Sequence, residues 1–284
     1  MKLARFRVAD GEVRLGRIDG DRVTDVTDAA GTASLKAILP RLAEVAPTLA
    51  ATDGGSHALA DVTLLNPIDD PQKVLAIGMN YKEHAAEAAA AGIPTPTSQL
   101  WFNKQISSLN DPYGDIVKPA ISDALDYEVE LGVVIGTRCR RVSREDARGV
   151  IAGYVVGNDV SVRDWLQKKS PTFILGKGWD THGPLGPWLT TDDEVDDPHA
   201  LRMRLTVNGE VRQDHVTDDM IYDVYEQIEY LTTVMTLMPG DVLLTGTPQG
   251  IGAPTGSFLK VGDVVRAEID GLGHIENRVI ADDI

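Results

Sequence analysis

The sequence holds a single cysteine, Cys139, among 284 residues, and that scarcity removes whole classes of chemistry. An internal disulfide is impossible, as is any multi-cysteine zinc or iron–sulfur site. Positive charge is also in short supply: 27 Lys and Arg face 43 Asp and Glu, for a formal net charge of −16. So acidic a chain disfavours non-specific binding to nucleic acid or anionic membranes, which needs a positive field. Small anionic substrates stay open, because a local cation or metal reverses the potential inside a cleft. No run approaches the ~20 apolar residues of a membrane span. The start, Met1 to Arg7, carries charge where a signal peptide needs an apolar stretch. A cytoplasmic protein with neither nucleic acid nor membrane as partner is expected. Gly-x-x-x-x-Gly-Lys, Gly-x-Gly-x-x-Gly, His-Glu-x-x-His and Gly-x-Ser-x-Gly are all missing, which disfavours nucleotide, zinc-peptidase and serine-hydrolase chemistry.

What is present is ordinary globular material, 43% hydrophobic and 25% charged, long enough to bury a sizeable core. Short alternating runs near the start, "LARFRVA", "EVRLGRI" and "RVTDV", are separated by the turn pairs Asp10-Gly11 and Asp19-Gly20, a β-meander pattern. The helix-like "SLKAILPRLAEVAPTLA" follows, interrupted by Pro40, and then the polar connector "ATDGGSHA". These features set a small N-terminal domain at 1–66 and a larger one at 67–284. In the larger part Asn208-Gly209 and Asp270-Gly271-Leu272-Gly273 sit between strand-like runs, as hairpin turns do. Helical pieces are fewer: Tyr81 to Ala91, Arg163 to Lys169 and Met220 to Leu237. Strands scattered among a few helices, without regular βαβα alternation, give an α+β, mostly β fold: a mixed sandwich or roll with a small β-rich N-terminal domain.

The segment "DYEVELGVVI" carries most chemical information. Tyr127, Val129, Leu131, Val133 and Ile135 alternate on one face of a strand. Glu128 and Glu130 then share the other face, about 7 Å apart at Cβ. Either they face solvent, or a divalent cation relieves their mutual repulsion. In "VIAGYVVGNDVSVRDW" an apolar run ends at Gly157-Asn158-Asp159. Asp159 stands at the carboxyl end of a buried strand, as a helix N-cap or as a ligand-binding residue. Oxygen donors without Cys or paired His select Mg²⁺, Mn²⁺ or Ca²⁺ over Zn²⁺. His84 and Glu87 are three apart on the Ala-rich helix and share a face, so Glu87 can orient His84 as a general base. Gly78 before that helix and "GIPTPT" after it suit a hinged cover. The glycines of "LLTGTPQGIG" either point backbone N–H groups at an anion or make a plain turn.

Six segments in order, "IGMNYKEHAAEA", "DYEVELGVVIG", "GYVVGNDVSVRD", "LGKGWDTHGPLGPW", "PGDVLLTGTPQGIG" and "VGDVVRAEIDGLG", resemble the fumarylacetoacetate hydrolase family from Val74 to Val279. The resemblance implies a β-sandwich roll, a homodimer and a Mg²⁺ or Mn²⁺ site formed by Glu128, Glu130 and Asp159. It implies His84, Glu87 and Lys177 as catalytic residues, Lys177 stabilising developing negative charge, with Arg163, Thr181 and Thr247 binding substrate. The implied reaction is metal-dependent hydrolysis of a C–C bond in a small β-diketo acid, an acylpyruvate or fumarylpyruvate-like compound. The same family holds isomerases of 2-hydroxy-dienedioates, oxaloacetate decarboxylases, diketo-deoxy sugar acid hydrolases and ureidoglycolate lyases, which share the electron-sink chemistry of a 2-oxo acid. The chain departs from the family pattern at Lys104, flanked by Asn103 and Gln105 where an aromatic residue and a proline are commoner. The substrate is therefore not carried over from well-known members.

Overall fold

A computed structural model describes residues 1–9, 11–90, 92–167, 169–170 and 172–282. Among these residues, two sheets carry the fold. The larger has twelve strands, its main path running Ser56–Ala58, Arg22–Asp25, Arg14–Asp19, Lys2–Val8, Gly183–Thr191, Ile151–Asn158, Val129–Ile135, Val242–Leu244, Val74–Gly78 and Leu100–Lys104. The smaller has five: Glu210–Val216, Arg202–Val207, Val264–Ile269, Gly273–Ala281 and Ile116–Lys118. Val129, Leu131, Val133 and Ile135 pack from the large sheet against Met203, Leu205, Val265, Ala267 and Ile275 of the small one. This is the sandwich, and the mostly-β α+β expectation holds.

Local chemistry sets the connections. Asn208 (φ +52°) and Gly209 (φ +80°) both adopt left-handed backbone, the requirement of the tight turn that lets Val207 pair with Glu210. Gly20 (φ +63°) closes the turn after Asp19. Asp10 lies outside the described residues, as do Ala91, the expected end of one helix, and Lys168, one residue before the expected end of another. The flanking strands Lys2–Val8 and Arg14–Asp19 pair antiparallel as expected. The helices within those two expected segments are Lys82–Ala90 and Arg163–Gln167. Pro40, with no N–H to donate, sits in a 3-10 turn, Leu39–Arg41, between the helices Leu35–Ile38 and Leu42–Ala51. The helix expected from Met220 starts at Val224, because Asp223 accepts the N–H groups of Tyr225 and Glu226 while Glu226 accepts that of Asp223. That reciprocal pair defines the start.

The central strand Val129–Ile135 is covered on both faces. Val134, on its second face, joins a cluster with Leu35, Ile38 and Leu49 of the N-terminal helices and with Leu3 and Leu15. Lys2 and Leu3 also pair with Thr190 and Leu189. The large sheet thus joins strands from both sides of residue 66, and the first helices roof the strand that carries Glu130 and begins just after Glu128. Two strands approach closely at Gly153, where an added Cβ would stand 2.1 Å from the carbonyl oxygen of Thr190. Gly153→Ala is expected to cost about 1–3 kcal/mol through forced backbone movement, read as a lower urea midpoint. An unchanged midpoint would show that the two strands are less closely set.

Candidate active site

Antiparallel pairing brings the acidic residues together. Val129 lies opposite Asn158 and Glu130 opposite Gly157, so the start of one strand meets the end of the other. The Asp159 N–H donates to the Glu128 carbonyl at 2.9 Å, and the Glu128 N–H donates to the Asn158 side-chain oxygen at 3.0 Å. One carboxylate oxygen each from Glu128, Glu130 and Asp159 lie within 4.8 Å of one another. All three residues are buried, Glu130 to 1% exposure and Asp159 to 0%. The solvent-facing alternative for the glutamates is thereby excluded. Asp159 is not the cap of the following helix, which begins four residues later at Arg163.

Such crowding has electrostatic consequences. Glu130 is pushed well above the usual carboxylate range, by burial first and then by Asp159 and Glu128. Glu128 falls to about 2: burial alone would raise it, but Lys177 and Arg163 outweigh burial. The Lys177 ammonium donates to Glu128 at 2.7 Å and to Asp159 at 2.6 Å. Burial pulls Lys177 down, and those two carboxylates more than restore it. Asp126, also fully buried, accepts from Arg163 Nε at 2.7 Å, while Arg163 Nη2 reaches Glu128 at 2.6 Å. Lys104 donates to Asp159 at 2.6 Å and to the Lys177 carbonyl at 2.6 Å. Four carboxylates therefore meet three cations, Lys104, Arg163 and Lys177. Glu130, raised by burial and by its two acidic neighbours, is the carboxylate of the four that none of these three cations contacts in a salt bridge. Three hard oxygen donors and a shortage of cation fit a divalent ion such as Mg²⁺ or Mn²⁺.

A cavity of about 240 Å³ opens beside this cluster, lined by Glu128, Arg163, Lys177, Thr247, His84 and Glu87 together with apolar side chains. His84 and Glu87 meet as expected, Nδ1 to carboxylate at 3.2 Å, on the helix Lys82–Ala90, which lines the cavity. Lys177 ends a short helix, Ile174–Lys177, and is buried. Thr247 reaches the cavity, but its hydroxyl donates to the Val129 carbonyl and accepts from Gln213 Nε2, both at 2.8 Å. Thr181 is not among the residues lining the cavity. Its hydroxyl accepts the Val117 N–H at 2.9 Å, which ties the strand Ile116–Lys118 to the loop after Lys177. The glycine loop does aim N–H groups at anions, and these are the protein's own carboxylates. Gly246 donates to Glu130 at 2.8 Å, and Gly252 and Ala253 donate to Asp126 at 2.7 and 3.0 Å.

Sequence reasoning gave no role to Asp126, Lys104 or Gln213. Asp126 stands two residues before Glu128, and that repeat of the acidic spacing was the available signal. Nothing local marks Lys104 or Gln213, whose partners lie 55 and 34 positions away.

A family model described as fumarylacetoacetate (FAA) hydrolase, C-terminal, matches residues 73–280. The chain belongs to the fumarylacetoacetate hydrolase family. Among its relatives is an oxaloacetate tautomerase of Xenopus laevis, 39% identical over 99% of this chain and 90% of that protein. The crystal structure of maleylpyruvate hydrolase from Sphingobium sp. SYK-6, in complex with manganese(II) and pyruvate, superposes with a TM-score of 0.86 at 32% identity, covering all of both chains. A fumarylacetoacetate hydrolase from Exiguobacterium antarcticum gives 0.87 at 36% identity over 99% of this chain and 100% of that one. This member of the fumarylacetoacetate hydrolase family is an enzyme that uses a divalent metal cofactor. Its chemistry is metal-assisted C–C cleavage or isomerisation of a diketo or oxo acid. No helix among the described residues is long and apolar enough to cross a membrane.

Burial and its acidic neighbours raise Glu130 above the usual carboxylate range, so binding of a metal cation is expected to compete with protonation there. Mn²⁺ affinity is therefore expected to weaken as pH falls through the Glu130 titration, with proton release detected by calorimetry in buffers of different ionisation enthalpy. Glu130→Gln should weaken Mn²⁺ binding by at least about tenfold and abolish the proton release. Release unchanged in that variant would assign the proton to another group.

Proposed function

We propose that the enzyme hydrolyses a C–C bond of a small β-diketo acid, an acylpyruvate or fumarylpyruvate-like compound, to pyruvate and a carboxylic acid. The observation that carries this reading is the His84–Glu87 pair at 3.2 Å on the wall of a cavity that also exposes Lys177 and Glu128. Glu128, Glu130 and Asp159 would hold a divalent cation, which would supply Lewis-acid polarisation of a 2-oxo acid.

The chain's own groups supply the rest. Glu87 accepts a hydrogen bond from His84 Nδ1–H, which leaves Nε2 as the basic nitrogen. His84 removes a proton from water as the water oxygen adds to the acyl carbonyl carbon. The C–C bond then breaks, its electron pair passing into the pyruvate portion as an enolate, and the acyl portion leaves as a carboxylic acid. Lys177 stands beside the developing negative charge. Arg163, held by Asp126 and Glu128, and Thr247 contribute to substrate positioning. The proton on His84 returns to the enolate carbon and gives pyruvate.

The similarity to an oxaloacetate tautomerase favours a second reading, keto–enol interconversion, in which His84 moves a proton and no water adds. The two separate in one assay, since hydrolysis releases pyruvate and tautomerisation consumes enol absorbance without releasing it. With Mn²⁺ and an acylpyruvate, His84→Ala is expected to lower kcat by about 10²–10⁴-fold, and chelation to abolish turnover. Full turnover in chelator would remove the mechanism. We further read the protein as a cytoplasmic homodimer. Sedimentation at about twice the chain mass of 30.6 kDa is expected, and a monomer would contradict it.

A further inference from the structure

The cavity is chemically lopsided. Its ionisable lining, Glu128, Arg163, Lys177 and the His84–Glu87 pair, belongs to the reacting machinery described above. Hydrocarbon dominates the rest, with Ile77, Leu100, Phe102, Leu166, Phe173 and Ile251 among the large side chains. Phe102 and Phe173 stack at 5.2 Å with their rings 17° apart. The Lys177 ammonium lies 5.2 Å from the Phe102 ring, so this aromatic shelf begins next to the charged cluster.

Charge supply decides what fits there. Among the described residues, Arg163 and Lys177 are the cations of the lining, and both are already bound to carboxylates: Arg163 to Asp126 and Glu128, Lys177 to Glu128 and Asp159. A second carboxylate on the substrate, laid against the hydrocarbon wall, would lose its hydration and meet no cation there. An alkyl or aryl group in the same place would bury apolar surface, and a flat one could stack on the phenylalanine shelf.

We infer that the enzyme selects β-diketo acids whose acyl group ends in uncharged hydrocarbon over those carrying a second carboxylate. The inference rests on the hydrolase reading above and narrows its substrate class. The wall of Ile77, Leu100, Phe102, Phe173 and Ile251 is then the specificity surface, separate from the residues that perform the chemistry.

The test compares kcat/KM, by pyruvate release with Mn²⁺, for acetyl-, butanoyl-, hexanoyl- and benzoylpyruvate against maleylpyruvate and fumarylpyruvate. The expected result is a rise of roughly fourfold per added methylene until the cavity is filled. Dicarboxylates of similar length should fall at least about tenfold below. Ile251→Lys, which brings a cation to the wall, should shift the ratio toward the dicarboxylates by about tenfold. Because this is a ratio within one variant, it does not depend on how much of the protein folds. Equal or better turnover of maleylpyruvate, no dependence on chain length, or an unshifted ratio in Ile251→Lys would each overturn the inference and leave the hydrolase standing. Absence of pyruvate from every compound would remove the hydrolase reading itself.

Discussion

Carboxylate oxygens of Glu128, Glu130 and Asp159 lie within 4.8 Å of one another in a buried cluster, where fully ionised groups would repel by about 3.5 kcal/mol per pair at a protein-like effective dielectric of ~20. The fold tolerates this because it also delivers cations to the same point. Lys177 and Arg163 hold Glu128 ionised, and Lys104 and Lys177 flank Asp159. Glu130, whose described hydrogen bond comes from the Gly246 amide, is raised above the usual carboxylate range by burial and its acidic neighbours. The cluster is thus one positive charge short. That shortage is what makes it a metal site, since a dication converts a strained interior into a positively biased one able to receive an organic anion.

The architecture follows from that need. Two antiparallel strands place the acids in register, and neither could be an exposed edge without letting water dissipate the field. The sandwich core covers one face of Val129–Ile135, and the N-terminal helices cover the other. The first 66 residues therefore act on the site from a distance, their helices roofing the strand Val129–Ile135 that presents Glu130. The glycine loop 246–253 serves the same end. Its amides act as fixed partial positive charges on Glu130 and Asp126, where a bulkier side chain would meet resistance. At Gly252, for example, a Cβ would stand 2.7 Å from an Asp126 oxygen.

How much of this was legible in the sequence depends on the range of the interaction involved. Turn pairs such as Asn208-Gly209 and the Pro40 break act within a few residues, and their consequences were readable directly. The His84–Glu87 spacing is equally local. The acidic trio was readable as two strand-borne segments, though whether they met required the pairing of Val129 with Asn158. The alternation of Tyr127 to Ile135 suggested one buried face, and the second is buried by the helices within 35–51, whose packing over this strand no local pattern announces. Lys104 and Gln213 are long-range partners, the first reaching Asp159 and the second Thr247. The glycine loop was legible as a source of anion-facing amides, and tertiary placement turns those amides onto Glu130 and Asp126. Thr181 shows the converse: a motif position implied by resemblance whose hydroxyl is engaged by the Val117 amide.

The central claim is that Glu128, Glu130 and Asp159 jointly grip a divalent ion, and anomalous diffraction from crystals grown with Mn²⁺ tests it most directly. A manganese peak within about 2.0–2.4 Å of one oxygen from each of the three carboxylates is the predicted result. A peak coordinated elsewhere, or none at this cluster under saturating Mn²⁺, would contradict it.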